Sequence, residues 1–250
     1  MGVVLALFCI GLVMAAFEVR LRLAYGRFLR GDREPFDRLQ YKGLRHIISV
    51  VKAYAGFRVL IEYGSAVNLP RSFLLVSNHQ SLADIPVLAY SLPERPVRFV
   101  AKKELARGIP AFSFGLRKGE HALIDRHGDF KAAQAELIRL ARLAEERGIC
   151  PVVFPEGTRS RSGHVGAFHS AAVRTILTHA ALPVVSVAVG GGFEISHFRD
   201  LVRNLKDCVY RVKFLSLYPA TGQRNAVHEI LRQSHDEIER QVEQWRQQKT

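Results

Sequence analysis

Residues 75–84 read LVSNHQSLAD and contain the transition on which the fold depends. The apolar run that begins at Phe73 stops at Asn78-His79, and a carboxylate, Asp84, follows five residues after the histidine. A short apolar run of this kind is typical of a buried strand, and residues 83–91 then follow a helical pattern. The stretch therefore predicts a strand, a turn and a helix, with a histidine and an aspartate near the turn.

The pair formed by His79 and Asp84 has two interpretations. Residues five apart lie about 140° apart around a helix, so within one helix they would not face each other. If His79 lies in the turn, the carboxylate can fold back, accept the Nδ1 hydrogen and leave Nε2 as a base. In the alternative, Asn78 or Ser81 caps the helix and Asp84 is an acid in its first turn, where negative charge is favoured.

Downstream of residue 58, short apolar runs alternate with helical patterns. The predicted strands are 59–62, 73–77, 97–101, 122–125, 152–154, 184–189 and 210–217. The predicted helices are 83–91, 129–147, 167–180 and a closing amphipathic helix at 226–247. This alternation indicates an α/β fold with a mostly parallel sheet flanked by helices, and we expect it to form one domain over residues 58–250.

The first 57 residues predict a membrane-binding helical region. Residues 1–17 carry no charged side chain, and their number is at the lower limit of the roughly 17–25 that span a bilayer. Five arginines follow between positions 20 and 33, an order that disfavours a cleaved secretory signal and predicts that the domain after this helix lies on the cytoplasmic face. The alternatives are a buried core helix and a helix that enters one leaflet without crossing.

The overall charge of the protein indicates which chemical classes of partner it favours. A net charge of +13 and a pI near 10.1 favour polyanions such as anionic lipid, nucleic acid or phosphorylated substrates. Residues 38–62 contain a basic amphipathic helix, which either lies on an anionic membrane or packs on the domain. Three scattered cysteines provide neither a disulfide framework nor a zinc site.

Two further polar clusters follow predicted strands, at the sheet edge where ligands gather in open α/β folds. FPEGTRSRSG, residues 154–163, places Arg159 beside Gly157, and a guanidinium matches phosphate geometry while glycine permits close approach. Glu156 would hold Arg159 or meet a substrate hydroxyl. Arg126, in the stretch ALIDRHGD at 122–129, would add a phosphate contact. The alternatives are a solvated turn and an Asp-Arg surface pair.

These motifs together resemble those of the glycerolipid acyltransferases, most closely the 1-acyl-sn-glycerol-3-phosphate acyltransferases. Residues 78–84 match the N-H-x4-D motif and residues 154–159 match F-P-E-G-T-R. Ile124-Asp125-Arg126 and Leu182-Pro183-Val184-Val185 resemble two further blocks, in the same order. The four blocks cover roughly residues 72–190, which makes a chance match improbable.

The resemblance implies an enzyme and assigns roles to its residues. His79 would be the general base on the acceptor hydroxyl, and Asp84 would orient it. The substrate-binding residues would be Asn78, Arg126, Glu156, Gly157, Thr158 and Arg159. The acyl donor would be a thioester of coenzyme A or acyl carrier protein, with no metal and no cofactor, and the partners would be the membrane lipid surface and the donor, with no nucleic acid.

Two departures from the family pattern leave the acceptor open. His121 stands where the family usually has glycine, and Phe168-His169 replaces Phe-Lys. We expect both positions to lie near the acceptor site. The acceptor is therefore lysophosphatidic acid, giving phosphatidic acid, or another lysolipid or acylated amino-acid lipid. The competing class is a non-enzymatic basic protein that binds membranes or nucleic acid.

Overall fold

The computed structural model describes residues 2–64, 68–92, 95–125, 128–160 and 162–248. The strands are β1 Arg58–Tyr63, β2 Leu74–Ser77, β3 Val97–Lys102, β4 Ala122–Ile124, β5 Cys150–Val153, β6 Val184–Gly190 and β7 Val209–Tyr218. The helices are α1 Gly2–Phe28, α2 Glu34–Ala55, α3 Asp84–Ser91, α4 Phe112–Lys118, α5 Phe130–Arg147, α6 Ala171–His179, α7 Phe198–Asn204 and α8 Arg224–Gln247, with short 3-10 helices at Lys103–Ala106 and Gly192–Ile195.

The strands form a seven-stranded sheet in the order β1-β7-β6-β2-β5-β3-β4. Strands β6 and β7 pair antiparallel, and the other neighbouring pairs are parallel. This confirms the predicted α/β class and all seven predicted strands. The prediction missed α4, α7 and the two 3-10 helices, whose short segments show no extended periodicity of either kind.

Helices cover both faces of the sheet, and each face has its own core. Strand β2 is buried along its whole length, as expected for a parallel strand covered on both sides. Because side chains alternate along a strand, Leu75 packs in the core beneath α2 and α3, while Leu74 and Val76 pack against α5 and α6. The sheet therefore holds the strand ends in fixed positions between two helical layers.

Helix α1 is longer than the uncharged run suggests. It continues beyond Phe17 to Phe28, so the first arginines belong to the same helix rather than to a segment that follows it. One face packs against α2 and α4 through Phe17, Leu21 and Ala24, and Glu18 accepts a hydrogen bond from the backbone of Ala111. The opposite face exposes large apolar side chains, namely Val4, Leu5, Phe8, Leu12, Val19 and Leu23.

Helix α2 packs on the domain, which is one of the two alternatives that its periodicity allowed. It buries Phe36, Ile48, Val51 and Ala55 against α1 and α3, and the predicted boundary at residues 57 and 58 falls between α2 and β1. Among the described residues, α1 is the helix long and apolar enough to cross a membrane, judged by length and composition.

A network of ion pairs fastens α2 to the sheet. Asp37 of α2 pairs with Arg98 of β3 and lies 3.6 Å from Arg147 of α5. Glu120, just before β4, pairs with Arg147 and with Arg33 at the start of α2. Arg98 is 3% exposed, so removing Asp37 would leave a buried charge, which is a costly arrangement. The network holds the N-terminal helices against the β3–β4 edge.

Candidate active site

The predicted polar clusters meet at one edge of the sheet. Strands β2 and β5 are neighbours, with Val76 paired to Val153, so the segments that follow them emerge side by side. His79 and Phe154 belong to these two segments, and their rings stack with centroids 4.1 Å apart. The sheet order therefore brings the segment that contains His79 next to the segment that begins at Phe154, although these two residues are 75 positions apart in the sequence.

The carboxylate of Asp84 folds back onto His79, as the first interpretation required. Asp84 is the first residue of α3, and its Oδ2 lies 2.6 Å from His79 Nδ1. The Asp84 side chain is fully buried, whereas the His79 side chain is 15% exposed. Because a carboxylate only accepts hydrogen bonds, Nδ1 carries the hydrogen, and Nε2 of the neutral ring is an acceptor available to a substrate.

Three further donors hold the Asp84 carboxylate in place. The backbone N–H groups of Gln80 and Ser81 donate to Oδ2 at 2.7 and 3.0 Å, and the hydroxyl of Tyr210 donates to Oδ1. The Tyr210 pKa is raised well above its usual value, first by burial and then by the charge of Asp84, so the hydroxyl keeps its proton. Tyr210 lies in β7, and no sequence feature connected it to this motif.

Glu156 positions the backbone around His79. Its Oε1 accepts from His79 N at 2.7 Å and its Oε2 accepts from Gly166 N at 2.9 Å. Burial raises the Glu156 pKa, and the two backbone donors oppose that shift. The expected contact with Arg159 is replaced by these backbone bonds, because the side chain points into the loop that carries the histidine. This geometry favours a scaffolding role for Glu156 over contact with substrate.

Asn78 likewise belongs to the scaffold. Its Nδ2 donates to Val189 O at 2.9 Å and its Oδ1 accepts from Val189 N at 2.8 Å, while the residue is 1% exposed. The side-chain amide thus continues the β2–β6 pairing one residue beyond the strand. Both ends of its amide are engaged and the side chain is buried, which favours a scaffolding role, and contact of Asn78 with substrate stays a prediction.

Residues 157–159 line a cleft of about 670 Å³ that also contains His79. Gly157 has φ 71°, a left-handed conformation that favours glycine and lets the chain turn away from β5. Thr158 is exposed at the rim, and Arg159 Nη1 donates to Ser196 O at 3.1 Å. This bond anchors one arm of the guanidinium while the side chain lines the cleft.

Two side chains that the sequence interpretation did not assign also line this cleft. They are Lys102 and His197. Lys102 ends β3, so the strand-end rule applied to that strand would have found it. Arg126 and the second arginine of the FPEGTRSRSG turn, Arg161, lie outside the described residues. The role of Arg126 therefore stays a prediction, while β4 does end beside Lys102.

A second, apolar cavity of about 250 Å³ lies between the N-terminal helices and the sheet. Its lining includes Phe17 of α1 and Ile47 of α2, and it shares Leu82, Ile85 and Phe99 with the cleft. His121 lines this cavity and is not among the residues that line the cleft, and its expected place near the acceptor site stays a prediction. His169 does line the cleft, as expected.

Comparison with known proteins agrees with the motifs. The Acyltransferase family matches residues 61–190, which is just over half of the chain. The chain belongs to this family. The described part of this acyltransferase contains no group of three or more His, Cys, Asp or Glu side chains that could hold a metal ion.

This acyltransferase is similar to several proteins called 1-acyl-sn-glycerol-3-phosphate acyltransferase. A Cocos nucifera protein is 30% identical over 118 residues, which are 47% of this chain and 37% of that protein. A Pseudomonas aeruginosa protein is 30% identical over 149 residues, 59% of this chain and 55% of that one. A Helicobacter pylori protein is 37% identical over 90 residues, 36% of each chain. The matched segments thus span less than two thirds of each relative.

The fold of this acyltransferase is also shared with a solved structure. The crystal structure of the 1-acyl-sn-glycerophosphate (LPA) acyltransferase PlsC from Thermotoga maritima superposes with a TM-score of 0.67 and covers 98% of both chains. The two sequences are 22% identical, so this likeness shows the common fold, including its N-terminal helical region.

Proposed function

We propose that this acyltransferase moves an acyl chain from an acyl thioester to the free hydroxyl of 1-acyl-sn-glycerol-3-phosphate, giving phosphatidic acid. One observation carries the proposal. The His79–Asp84 pair lies where a basic cleft meets an apolar cavity, so a base, a site for phosphate and a site for an alkyl chain converge. The family match and the names of its relatives support the reaction class.

The geometry supports a direct transfer. Nε2 of His79 takes the proton from the acceptor hydroxyl as its oxygen attacks the thioester carbonyl. Asp84 stabilises the imidazolium that forms and keeps the ring in one orientation. The carbon–sulfur bond then breaks, an ester bond remains, and the proton on Nε2 passes to the departing thiolate. His79 thus accepts one proton from the acceptor hydroxyl and gives the same proton to the leaving thiolate.

The two compartments divide the substrates between them. Arg159 and Lys102 along the same cleft provide positive charge for the phosphate of the acceptor, and His169 lines the cleft beside them. The apolar cavity takes the alkyl chain whose carbonyl reaches His79, because it joins the cleft beside Leu82 and Ile85. The donor is a thioester of coenzyme A or acyl carrier protein, and catalysis uses no cofactor.

The protein acts at a membrane with its catalytic domain on the cytoplasmic face. The exposed apolar side of α1 supports membrane insertion, since 11% of the most apolar 18-residue stretch of this helix is buried in the protein. Its other side packs on α2 and α4, so we propose that α1 enters one leaflet as part of the domain. Arginines 20, 22 and 27 of the same helix would meet anionic headgroups.

A product assay tests the proposal. Purified protein in liposomes is given acyl-CoA or acyl carrier protein thioesters, with lysophosphatidic acid, lysolipids of other headgroups or an acylated amino-acid lipid as acceptor. We expect phosphatidic acid to be the main product. A larger kcat/KM for another acceptor would replace the acceptor assignment, and the absence of any acylated lipid would contradict the reaction itself.

Replacing Arg159 should weaken use of the phosphorylated acceptor. Arg159→Lys keeps the charge but loses the two-pronged geometry, and Arg159→Ala loses both. A charge-assisted hydrogen bond contributes about 1.5–3 kcal/mol, so kcat/KM for lysophosphatidic acid should fall roughly 10- to 100-fold in Arg159→Ala. Kinetics with varied acceptor at saturating donor measure this effect.

The control for Arg159 is an acceptor without phosphate. Wild-type protein should use monoacylglycerol poorly, and Arg159→Ala should barely change that rate. Equal losses with both acceptors would mean that Arg159 supports the loop at Ser196 or serves the donor instead.

Charges placed on the exposed side of α1 should release the protein from membranes. Phe8 and Leu12 are 64% and 56% exposed, so Phe8→Glu with Leu12→Glu disturbs no core contact. Each buried side chain contributes roughly 1.5–3 kcal/mol, and liposome binding should therefore fall by more than tenfold. Flotation with anionic liposomes measures it. Leu60→Glu on edge strand β1 is the matched control, and unchanged flotation of the double variant would place the membrane contact elsewhere.

A further inference from the structure

The apolar cavity contains two polar groups that the proposed reaction does not use. Gln40 of α2 lines it, and its Oε1 is buried without a hydrogen-bond partner. His121 lines it too, and no hydrogen bond to its Nε2 occurs among the described residues. Buried polar atoms are nearly always paired, so the unpaired Gln40 oxygen on an apolar wall points to a ligand that pairs with it, and His121 Nε2 lines the same wall.

The hydrogen bonds around His121 define what it offers. Its Nδ1 accepts from Phe99 N at 2.9 Å, so the hydrogen of the neutral ring is on Nε2. The His121 pKa is lowered well below its usual value, by burial first and then by the charges of Arg98 and Arg139. His121 therefore presents one N–H donor to the cavity and does not gain a charge in the physiological range.

The acceptor group is Gln40, whose amide packs against the segment that leads to His121. Gly119 lies two residues before His121, and the Gln40 amide packs directly on its backbone. A methyl group at position 119 would lie 2.5 Å from Gln40 Oε1 and would clash with it. The pairing of a carbonyl acceptor with an N–H donor suits a hydroxyl, which can donate to one and accept from the other.

A row of four aromatic rings leads from His79 to the Gln40–His121 pair. His79, Phe154, Phe99 and His121 stack in order, with successive centroids 4.1, 6.4 and 5.9 Å apart and tilts of at most 15°. This row crosses β5 and β3 from the catalytic pair to the Gln40–His121 pair. A chain that starts at His79 reaches the polar pair only well beyond its first few carbons.

We propose that Gln40 and His121 select a donor acyl chain that carries a hydroxyl far from its thioester. The inference rests on the proposed function and deepens it by naming the class of acyl chain. A plain chain would leave both polar atoms unpaired, whereas a chain hydroxylated beside the carbonyl would bury its own hydroxyl against apolar side chains such as Ile85.

Competition between thioesters tests the inference. The donors are dodecanoyl-CoA, 12-hydroxydodecanoyl-CoA and 2-hydroxydodecanoyl-CoA, with 10-hydroxydecanoyl-CoA and decanoyl-CoA as a shorter pair. We expect wild-type kcat/KM to favour a terminally hydroxylated chain over its plain counterpart, and the 2-hydroxy chain to be the poorest. The ratio of kcat/KM for the terminally hydroxylated donor to kcat/KM for the plain donor should fall about tenfold in Gln40→Leu and Gln40→Met. Gln244→Leu, the same change at an exposed site of α8, should leave the ratio unchanged.

Thermal unfolding separates this role from a structural one. Gln40→Leu removes a buried unpaired oxygen, so its midpoint should equal or exceed that of the wild type while the ratio falls. A lower midpoint with an unchanged ratio would assign Gln40 to the scaffold and overturn the inference.

A reciprocal arm identifies which chain occupies the cavity. Dodecanoyl-CoA is paired with a lysophosphatidic acid whose own chain bears the terminal hydroxyl, and Gln40→Leu should not alter that rate relative to the plain acceptor. An effect confined to the acceptor would overturn the donor assignment. If none of the five thioesters gives an acylated product, the proposed function fails. If plain dodecanoyl-CoA is transferred and the hydroxyl makes no difference, the function stands and this inference fails.

Discussion

His79→Ala should lower kcat for acyl transfer by ~10²–10⁴-fold, the usual contribution of a general base. The His79 ring packs on Phe154 in the cleft, and no hydrogen bond to its Nε2 occurs in the part of the chain that the structure describes. The bonds that shape its loop use the backbone, where His79 N donates to Glu156 and His79 O accepts from Ser160 N. We therefore expect the variant to fold and to bind liposomes like the wild type.

Steady-state kinetics with saturating donor and acceptor measure the effect, and circular dichroism and flotation check the fold and the membrane contact. His179→Ala is the matched control, because His179 is exposed at the end of α6 and its Nδ1 lies 2.9 Å from Thr175 O of the same helix. A purified His79→Ala protein that keeps wild-type turnover would exclude His79 as the base.

Asp84→Asn should abolish most of the activity while leaving the fold largely intact. An asparagine oxygen can still accept from His79 and from the backbone of Gln80 and Ser81, and its amide can donate to the Tyr210 hydroxyl. What disappears is the negative charge that stabilises the imidazolium, so kcat should fall at least ~10²-fold.

Asp84→Ala separates the charge from the scaffold. It leaves two buried backbone N–H groups and the Tyr210 hydroxyl without their acceptor, at about 1–3 kcal/mol for each unpaired group. Urea unfolding should therefore show a clear loss of stability in Asp84→Ala and little in Asp84→Asn, with both variants nearly inactive. Near-normal kcat in Asp84→Asn would show that the carboxylate only shapes the turn.

Much of the fold and of the contact between His79 and Asp84 is encoded locally. Runs such as 73–77 and 184–189 are short, apolar and bounded by polar or turn residues, which is what buried parallel strands require. His79 and Asp84 lie five residues apart across one turn, so a strand followed by a helix is sufficient to let them meet. The position of residues 154–159, directly after β5, follows the rule that ligands gather beyond the carboxyl ends of strands.

The remaining contacts depended on the order of the strands in space. Tyr210 reaches Asp84, and Asn78 reaches the backbone of Val189, across more than 100 residues of chain. Gln40 and His121 come from elements with no shared motif, yet they line one cavity because α2 is held over the β3–β4 edge. A single sequence gives the period and the ends of each strand. Which strands become neighbours, and hence which distant side chains meet, is decided by the packing of the whole sheet between its helices.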